Sequence, residues 1–131
     1  MGPQKQASKA LNITLWIAQI LLSASMLWAS AMKLFQPVEK LAAMWPWAGQ
    51  VSPILVKFTG IVDLLGALGL ILPALIHKPK LISFTAMAII VLMICASIFH
   101  IARGEASVIG VNVVFAGLAV FIAWGRFTKA N

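Results

Sequence analysis

Long apolar runs separated by short polar breaks dominate the chain. Four of them stand out: about Leu11 to Phe35, about Pro53 to Ile76, about Leu81 to Ala102 and about Ser107 to Gly125. A helix needs about 20 mainly apolar residues to cross about 30 Å of hydrocarbon, and each run is near that length. None alternates with period two, which excludes the strands of a membrane barrel, the other structure that satisfies its backbone in lipid. The pattern predicts an all-α fold, an integral membrane four-helix bundle forming one transmembrane domain over residues 1–131.

The breaks carry helix punctuation. Pro37 follows the first run, Trp45-Pro46-Trp47 and Ser52-Pro53 lead into the second, and His77-Lys78-Pro79-Lys80 and Arg103-Gly104-Glu105 make the next two turns. Pro53 and Pro79 suit helix starts, where a missing N–H costs nothing. Pro73 falls in the last turn of the second run and predicts a kink. Between the first two runs, Val38, Leu41 and Trp45 recur at helical spacing, with Glu39 and Lys40 on another face. This fits a short interfacial helix, and a loop resting on the membrane fits equally.

Composition agrees with the membrane reading. Hydrophobic residues make up 62% of the chain and charged ones 10%, against roughly 45–50% and about 25% in soluble domains. One cysteine, Cys95, excludes an internal disulfide, a CxxC pair and a cysteine-rich metal site. A net charge of +7 would suggest nucleic acid in a soluble protein. Here the basic residues sit at segment ends, with no basic face interleaved with aromatics, so nucleic acid is not an expected partner.

The charges also set orientation. The N-terminus, the middle turn and the C-terminus share one side, with Lys5, Lys9, Lys78, Lys80, Arg126 and Lys129 and no acidic residue. The other side holds Lys33, Lys40, Lys57 and Arg103 with Glu39, Asp63 and Glu105. By the positive-inside rule both termini are cytoplasmic and the protein is multi-pass in the cytoplasmic (inner) membrane. Trp16 and Trp124 near one boundary, and Trp45 and Trp47 near the other, read as aromatic belts. The apolar stretch of the first run exceeds the roughly 7–15 residues of a signal-peptide core, so it reads as a retained span.

Ionisable groups inside spans are costly and point to function or to packing. Asp63 lies ten residues after Pro53, about 15 Å along a helix and near the bilayer midplane. Gly60, Gly66 and Ala67 share its face and admit a neighbouring helix, so Asp63 is expected to face protein. On the first run Gln19, Ser23, Met26, Ser30 and Lys33 form one polar stripe at alternating steps of four and three. Lys33 either reaches toward Asp63 or snorkels to the headgroups. His100 lies near the outer end of the third run, and Asn112 about two turns into the fourth. Threading thus brings Lys33, Asp63, His100 and Asn112 into the outer half of the bundle, as candidate ligand-binding residues or as a hydrogen-bonded knot fixing helix register. His77 and His100 lie at opposite ends, so one chain cannot clamp a haem between them. One acid with one histidine is too few for a common metal site, and no phosphate-binding loop, nucleophile motif or carboxylate pair occurs.

The succession of motifs resembles the DoxX-like family of small four-helix membrane proteins. It runs from Met32-Lys33-Leu34 through Lys57-Phe58-Thr59-Gly60-Ile61-Val62-Asp63-Leu64-Leu65-Gly66-Ala67-Leu68-Gly69-Leu70-Ile71-Leu72-Pro73. It continues with Phe99-His100-Ile101-Ala102-Arg103-Gly104-Glu105 and Trp124-Gly125-Arg126-Phe127. The resemblance implies that Lys33, Asp63 and His100 occupy the family's polar positions, with Asp63 where many relatives have Glu. Family members include a membrane subunit of a thiosulfate:quinone oxidoreductase, relatives linked to membrane redox complexes, and assembly chaperones for channels. The leading expectation is therefore an accessory subunit, not catalytic alone, that binds a quinone or other lipid-like molecule in the outer-half site. Met26, Met93 and Trp28 would supply apolar walls, and a membrane or peripheral redox protein would be the partner. The alternatives are a structural or assembly-chaperone protein without ligand, and a small proton-coupled transporter titrating Asp63. An oligomer is compatible with all three.

Overall fold

The computed structural model describes residues 2–78 and 80–128. Pro79 and Lys129, read above as a helix start and an inner-end charge, lie outside the described residues, as does the side chain of Lys5. The described residues are helical and turn structure without strands: α1 (Gly2–Phe35), α2 (Val38–Met44), a 3₁₀ turn (Pro46–Gly49), α3 (Pro53–Leu75), α4 (Lys80–Ala102), a second 3₁₀ turn (Ala106–Val108) and α5 (Gly110–Thr128). Four segments are long and apolar enough to cross a membrane, namely Lys9–Phe35, Pro53–Leu75, Lys80–Ala102 and Gly110–Phe127.

The helix ends follow from the residues at them. Ser52 caps α3 by accepting a hydrogen bond from the Ile54 N–H at 3.3 Å, and Pro53 fills the first helical position. At the far end His77 adopts φ 59°. The N–H of Lys78 then donates to the Pro73 carbonyl at 2.7 Å and that of His77 to the Ala74 carbonyl at 3.3 Å. This is a Schellman cap with histidine in the left-handed position. The end of α4 repeats it with Gly104 at φ 77°. There the Glu105 N–H donates to the His100 carbonyl at 2.7 Å and the Gly104 N–H to the Ile101 carbonyl at 3.0 Å.

The fourth span starts later than its hydropathy suggests. Ala106–Val108 forms a 3₁₀ turn and α5 begins at Gly110, not at Ser107. Asn112 consequently lies in the first turn of α5 and not two turns in. Hydropathy could not locate this start, because Ser107, Val108 and Ile109 read as apolar span although the chain turns there.

Each spanning helix packs against two others: α1 against α3 and α5, and α4 against α3 and α5. One core cluster runs through all four, with Leu22 and Met26 of α1, Leu70 of α3, Ile82, Ala86, Ile89 and Met93 of α4, and Ala119 and Ile122 of α5. Bulky residues such as Ile20, Leu27, Phe58, Leu65, Phe84 and Val91 lie on the outer faces. Apolar side chains gain little by leaving lipid for a helix interface, so close packing and interhelical hydrogen bonds must hold the helices together. Glycines supply the close packing. A Cβ on Gly60 would come within 2.9 Å of the Lys33 Cβ, and one on Gly125 within 2.5 Å of Leu15.

Buried hydrogen bonds supply the rest. Gln19 Nε2 donates to the Leu70 carbonyl at 2.7 Å, Ser23 to the Ala67 carbonyl at 2.8 Å and Ser83 to the Ala123 carbonyl at 3.1 Å. Each contributes about 0.6 kcal/mol in such settings. The stripe of Gln19, Ser23, Met26 and Ser30 is thus the face of α1 turned into the bundle, and all four residues are buried. A second, smaller cluster of Leu41, Ala48 and Val56, flanked by Met32, Trp45, Trp47 and Val51, seats α2 and its 3₁₀ turn against the bundle. Leu41 is the buried residue of α2, whereas Val38 is exposed.

Candidate functional site

α3 places Asp63 on its buried face, 6% exposed, between Gly60 and Gly66. Because Gly60 has no side chain, the last turns of α1 approach closely enough for Lys33 to reach across. Lys33 Nζ lies 2.8 Å from Asp63 Oδ2, with both side chains largely buried. The ammonium also lies 5.8 Å from the Trp45 ring centroid and 5.6 Å from that of Trp47. Two ring faces and one carboxylate therefore replace its water. The side chain turns inward to a partner and does not snorkel. Trp28 meets Trp45 edge to face at 5.8 Å, which extends the aromatic wall toward α1.

The end of α4 adds a second polar group to the same end of the bundle. His100 packs edge to face with Phe99 at 5.3 Å and with Trp47 at 6.3 Å. The Schellman cap folds Glu105 back over the helix end, so that its carboxylate meets His100 Nδ1 at 2.9 Å. Arg103 donates to the same carboxylate from Nε at 3.2 Å and from Nη2 at 3.3 Å. Its Nη2 also reaches the Gln50 side chain, tying the α4 end to the turn before α3. Hydrogen bonds from His100 and then from Arg103 hold the Glu105 carboxyl below the ordinary glutamate range.

Of the four residues expected at the site, Lys33, Asp63 and His100 share one neighbourhood, with Trp47 touching both Lys33 and His100. Asn112 is half-buried at the same end, but it takes part in none of the hydrogen bonds that join the others. Trp45, Trp47, Phe99, Arg103, Glu105 and Gln50 join the cluster without having been singled out for it. Of the expected apolar walls, Met26 and Met93 belong to the core cluster, and Trp28 is reached only through Trp45.

A separate polar cluster lies at the opposite end. Arg126, read above as a charge at the membrane boundary, is only 4% exposed. Its Nε donates to Gln19 Oε1 and its Nη1 to Asn12 Oδ1, both at 2.6 Å, and the guanidinium lies 5.5 Å from the Trp16 ring centroid. Gln19 passes the chain of hydrogen bonds on to α3 at Leu70. Asn12 and Trp16 continue the α1 stripe backwards with the same alternation of steps, and that was the signal for this cluster. Among the described residues no group of three His, Cys, Asp or Glu side chains is placed to hold a metal ion.

Two outcomes follow from this geometry. Asp63→Leu leaves the Lys33 ammonium buried without its carboxylate and should cost about 3–5 kcal/mol, whereas Lys33→Met combined with Asp63→Leu should recover most of the loss. Unfolding of the four proteins of this cycle in detergent measures the coupling, and a double variant no better than Asp63→Leu would show that the pair is not coupled. The Glu105 contacts contribute stability fully above the ordinary glutamate range, and the contribution is lost as pH falls through the lowered folded value. The gap in melting temperature between the wild type and Glu105→Gln should therefore close in acid. A gap that persists or widens there would contradict the assigned contacts.

No curated protein and no solved structure matches the chain. A family model does, over residues 17–122, a stretch that contains Lys33, Asp63, His100 and Asn112 and most of all four spans. With four apolar helices and this match, the chain is an integral, multi-pass membrane protein that belongs to the DoxX-like family.

Proposed function

We propose that this protein is an accessory membrane subunit, not catalytic on its own, that holds the head group of a quinone or similar lipid-like molecule at the Lys33–Asp63–His100 cluster. One observation carries the reading. The His100 imidazole is fixed by Glu105 through one ring nitrogen and flanked by the Trp47 and Phe99 rings, which leaves Nε2 to meet a ring oxygen of a head group. A flat aromatic ligand suits such flanks, and a few placed polar groups among apolar walls are what fix a ligand's orientation. The residues present fit a quinone, which would supply the redox chemistry. The chain's own part is to bind and orient it, with Asn112 in the first turn of α5 as a further polar group at that end. Electron transfer falls to a partner protein.

A second reading has its own support. Lys33, Asp63, Arg103 and Glu105 each have charged partners within the chain. Such a satisfied network fixes one helix register without any ligand, as a structural or assembly-chaperone protein would need.

The charge distribution favours the cytoplasmic membrane with both termini in the cytoplasm, and α2 with its tryptophan-bearing turn at the outer interface. A C-terminal fluorescent-protein fusion should then fluoresce and a C-terminal alkaline phosphatase fusion should stay inactive. The opposite pair of results would invert the topology.

Native mass spectrometry of protein extracted in mild detergent, followed by organic extraction, separates the two functional readings. A stoichiometric quinone or other isoprenoid is expected, lost on His100→Ala. A clean apo mass in the wild type would overturn the head-group reading and leave the structural one.

A further inference from the structure

The cap of α4 determines which hydrogen-bonding role His100 offers. Glu105 approaches the ring at Nδ1, 2.9 Å away, while Arg103 holds the same carboxylate from the other side. An ionised carboxylate only accepts hydrogen bonds, so the proton of this contact belongs to Nδ1. A neutral imidazole has one N–H, and Nε2 is then an acceptor. The polar groups at this end of the bundle are Arg103, Glu105, Gln50, Lys33 and Asp63, together with Asn112 of α5, which is half-buried and outside the hydrogen bonds that join the others. Arg103, just past the end of α4, is on Glu105 and Gln50, the latter from the turn before α3, and Lys33 of α1 is on Asp63 of α3 and the two tryptophan faces. In the singly protonated ring, Nε2 is therefore an acceptor beside the Trp47 and Phe99 rings. A carbonyl head group has only acceptors to set against it, whereas a phenolic O–H donates.

We infer that Glu105 is a positioning residue that fixes His100 as the Nδ1–H tautomer, and that this makes the outer cluster select a hydroxyl-bearing aromatic head group, the hydroquinone form, over the corresponding quinone. The selectivity rests on the head-group reading above, while the tautomer does not. When the ring takes up a second proton, Nε2 becomes a donor and the preference turns toward the carbonyl form.

The test uses the full chain in lipid nanodiscs, with His77→Asn leaving His100 as the single imidazole; asparagine tolerates the positive φ at that position. Nitrogen-15 NMR, at a pH where the ring carries a single proton, should show it on Nδ1, and Glu105→Ala should move it to Nε2. Glu105→Asp should restore the wild-type spectrum, which guards against a merely unfolded variant. Binding is then measured with duroquinol and duroquinone, each held in its own redox state. Duroquinol should bind roughly five-fold more tightly, the worth of one hydrogen bond, and the preference should vanish in Glu105→Ala. A wild-type Nε2–H tautomer, or one that Glu105→Ala leaves unchanged, overturns the positioning role. Equal binding of the two forms removes the selectivity and leaves the head-group reading standing. Binding of neither removes both.

Discussion

Lys33 and Asp63 are opposite charges held 2.8 Å apart between α1 and α3, in a chain whose helices gain little from apolar burial and depend on close packing and directed polar contacts to stay together. Either charge alone would be costly at that depth, and each needs the other close and well directed. That requirement reaches into the surroundings. Gly60 must lack a side chain for α1 to come near, and Trp45 and Trp47 must cover the ammonium. The tryptophans sit on the connection between α1 and α3, so the pair also fixes how α2 and its turn fold back. Leu41 and Ala48 of that connection pack against Val56 of α3.

The end of the bundle that holds Lys33 is organised by two such devices in contact. The Lys33–Asp63 pair joins α1 to α3, and the His100–Glu105–Arg103 group joins the α4 cap to the turn before α3 through Gln50. Trp47 touches both. At the opposite end Arg126 joins α5 to α1 through Asn12 and Gln19, and Gln19 continues to α3. Between the two ends lies the apolar layer of Leu22, Met26, Leu70, Ile89 and Ala119. Directional contacts at both ends with apolar packing between them leave little freedom for one helix to slide on another. A rigid frame of this kind suits a protein that presents a fixed site to a ligand, and equally one that presents a fixed surface to another membrane protein.

Much of this was legible in the chain. The four spans follow from the length of the apolar runs, and the inward face of α1 from the alternating steps between Gln19 and Lys33. Asp63 could be assigned a buried position from its glycine neighbours. What escaped reading came from local geometry that hydropathy does not encode. The start of α5 at Gly110 depends on a 3₁₀ turn through residues that look like membrane span. The role of Glu105 depends on Gly104 taking a positive φ and throwing the chain back over His100, a cap visible only as an Arg-Gly-Glu turn beforehand. Arg126 stands at a span end, where a basic residue ordinarily marks topology and not a buried contact. Asn12 and Trp16, which extend the α1 stripe toward it, carried the contrary signal.

The pairing of Lys33 with Asp63 can be measured directly by solid-state NMR of the protein in lipid bilayers, with nitrogen-15 on lysine and carbon-13 on the aspartate carboxyl. Asp63 is the chain's one aspartate, so the carboxyl signal needs no assignment. A strong dipolar coupling between that carbon and a single lysine ammonium, lost on Lys33→Met, is the expected result. A carboxyl coupled to no ammonium would contradict the central pairing, and with it the fold of the bundle end built upon it.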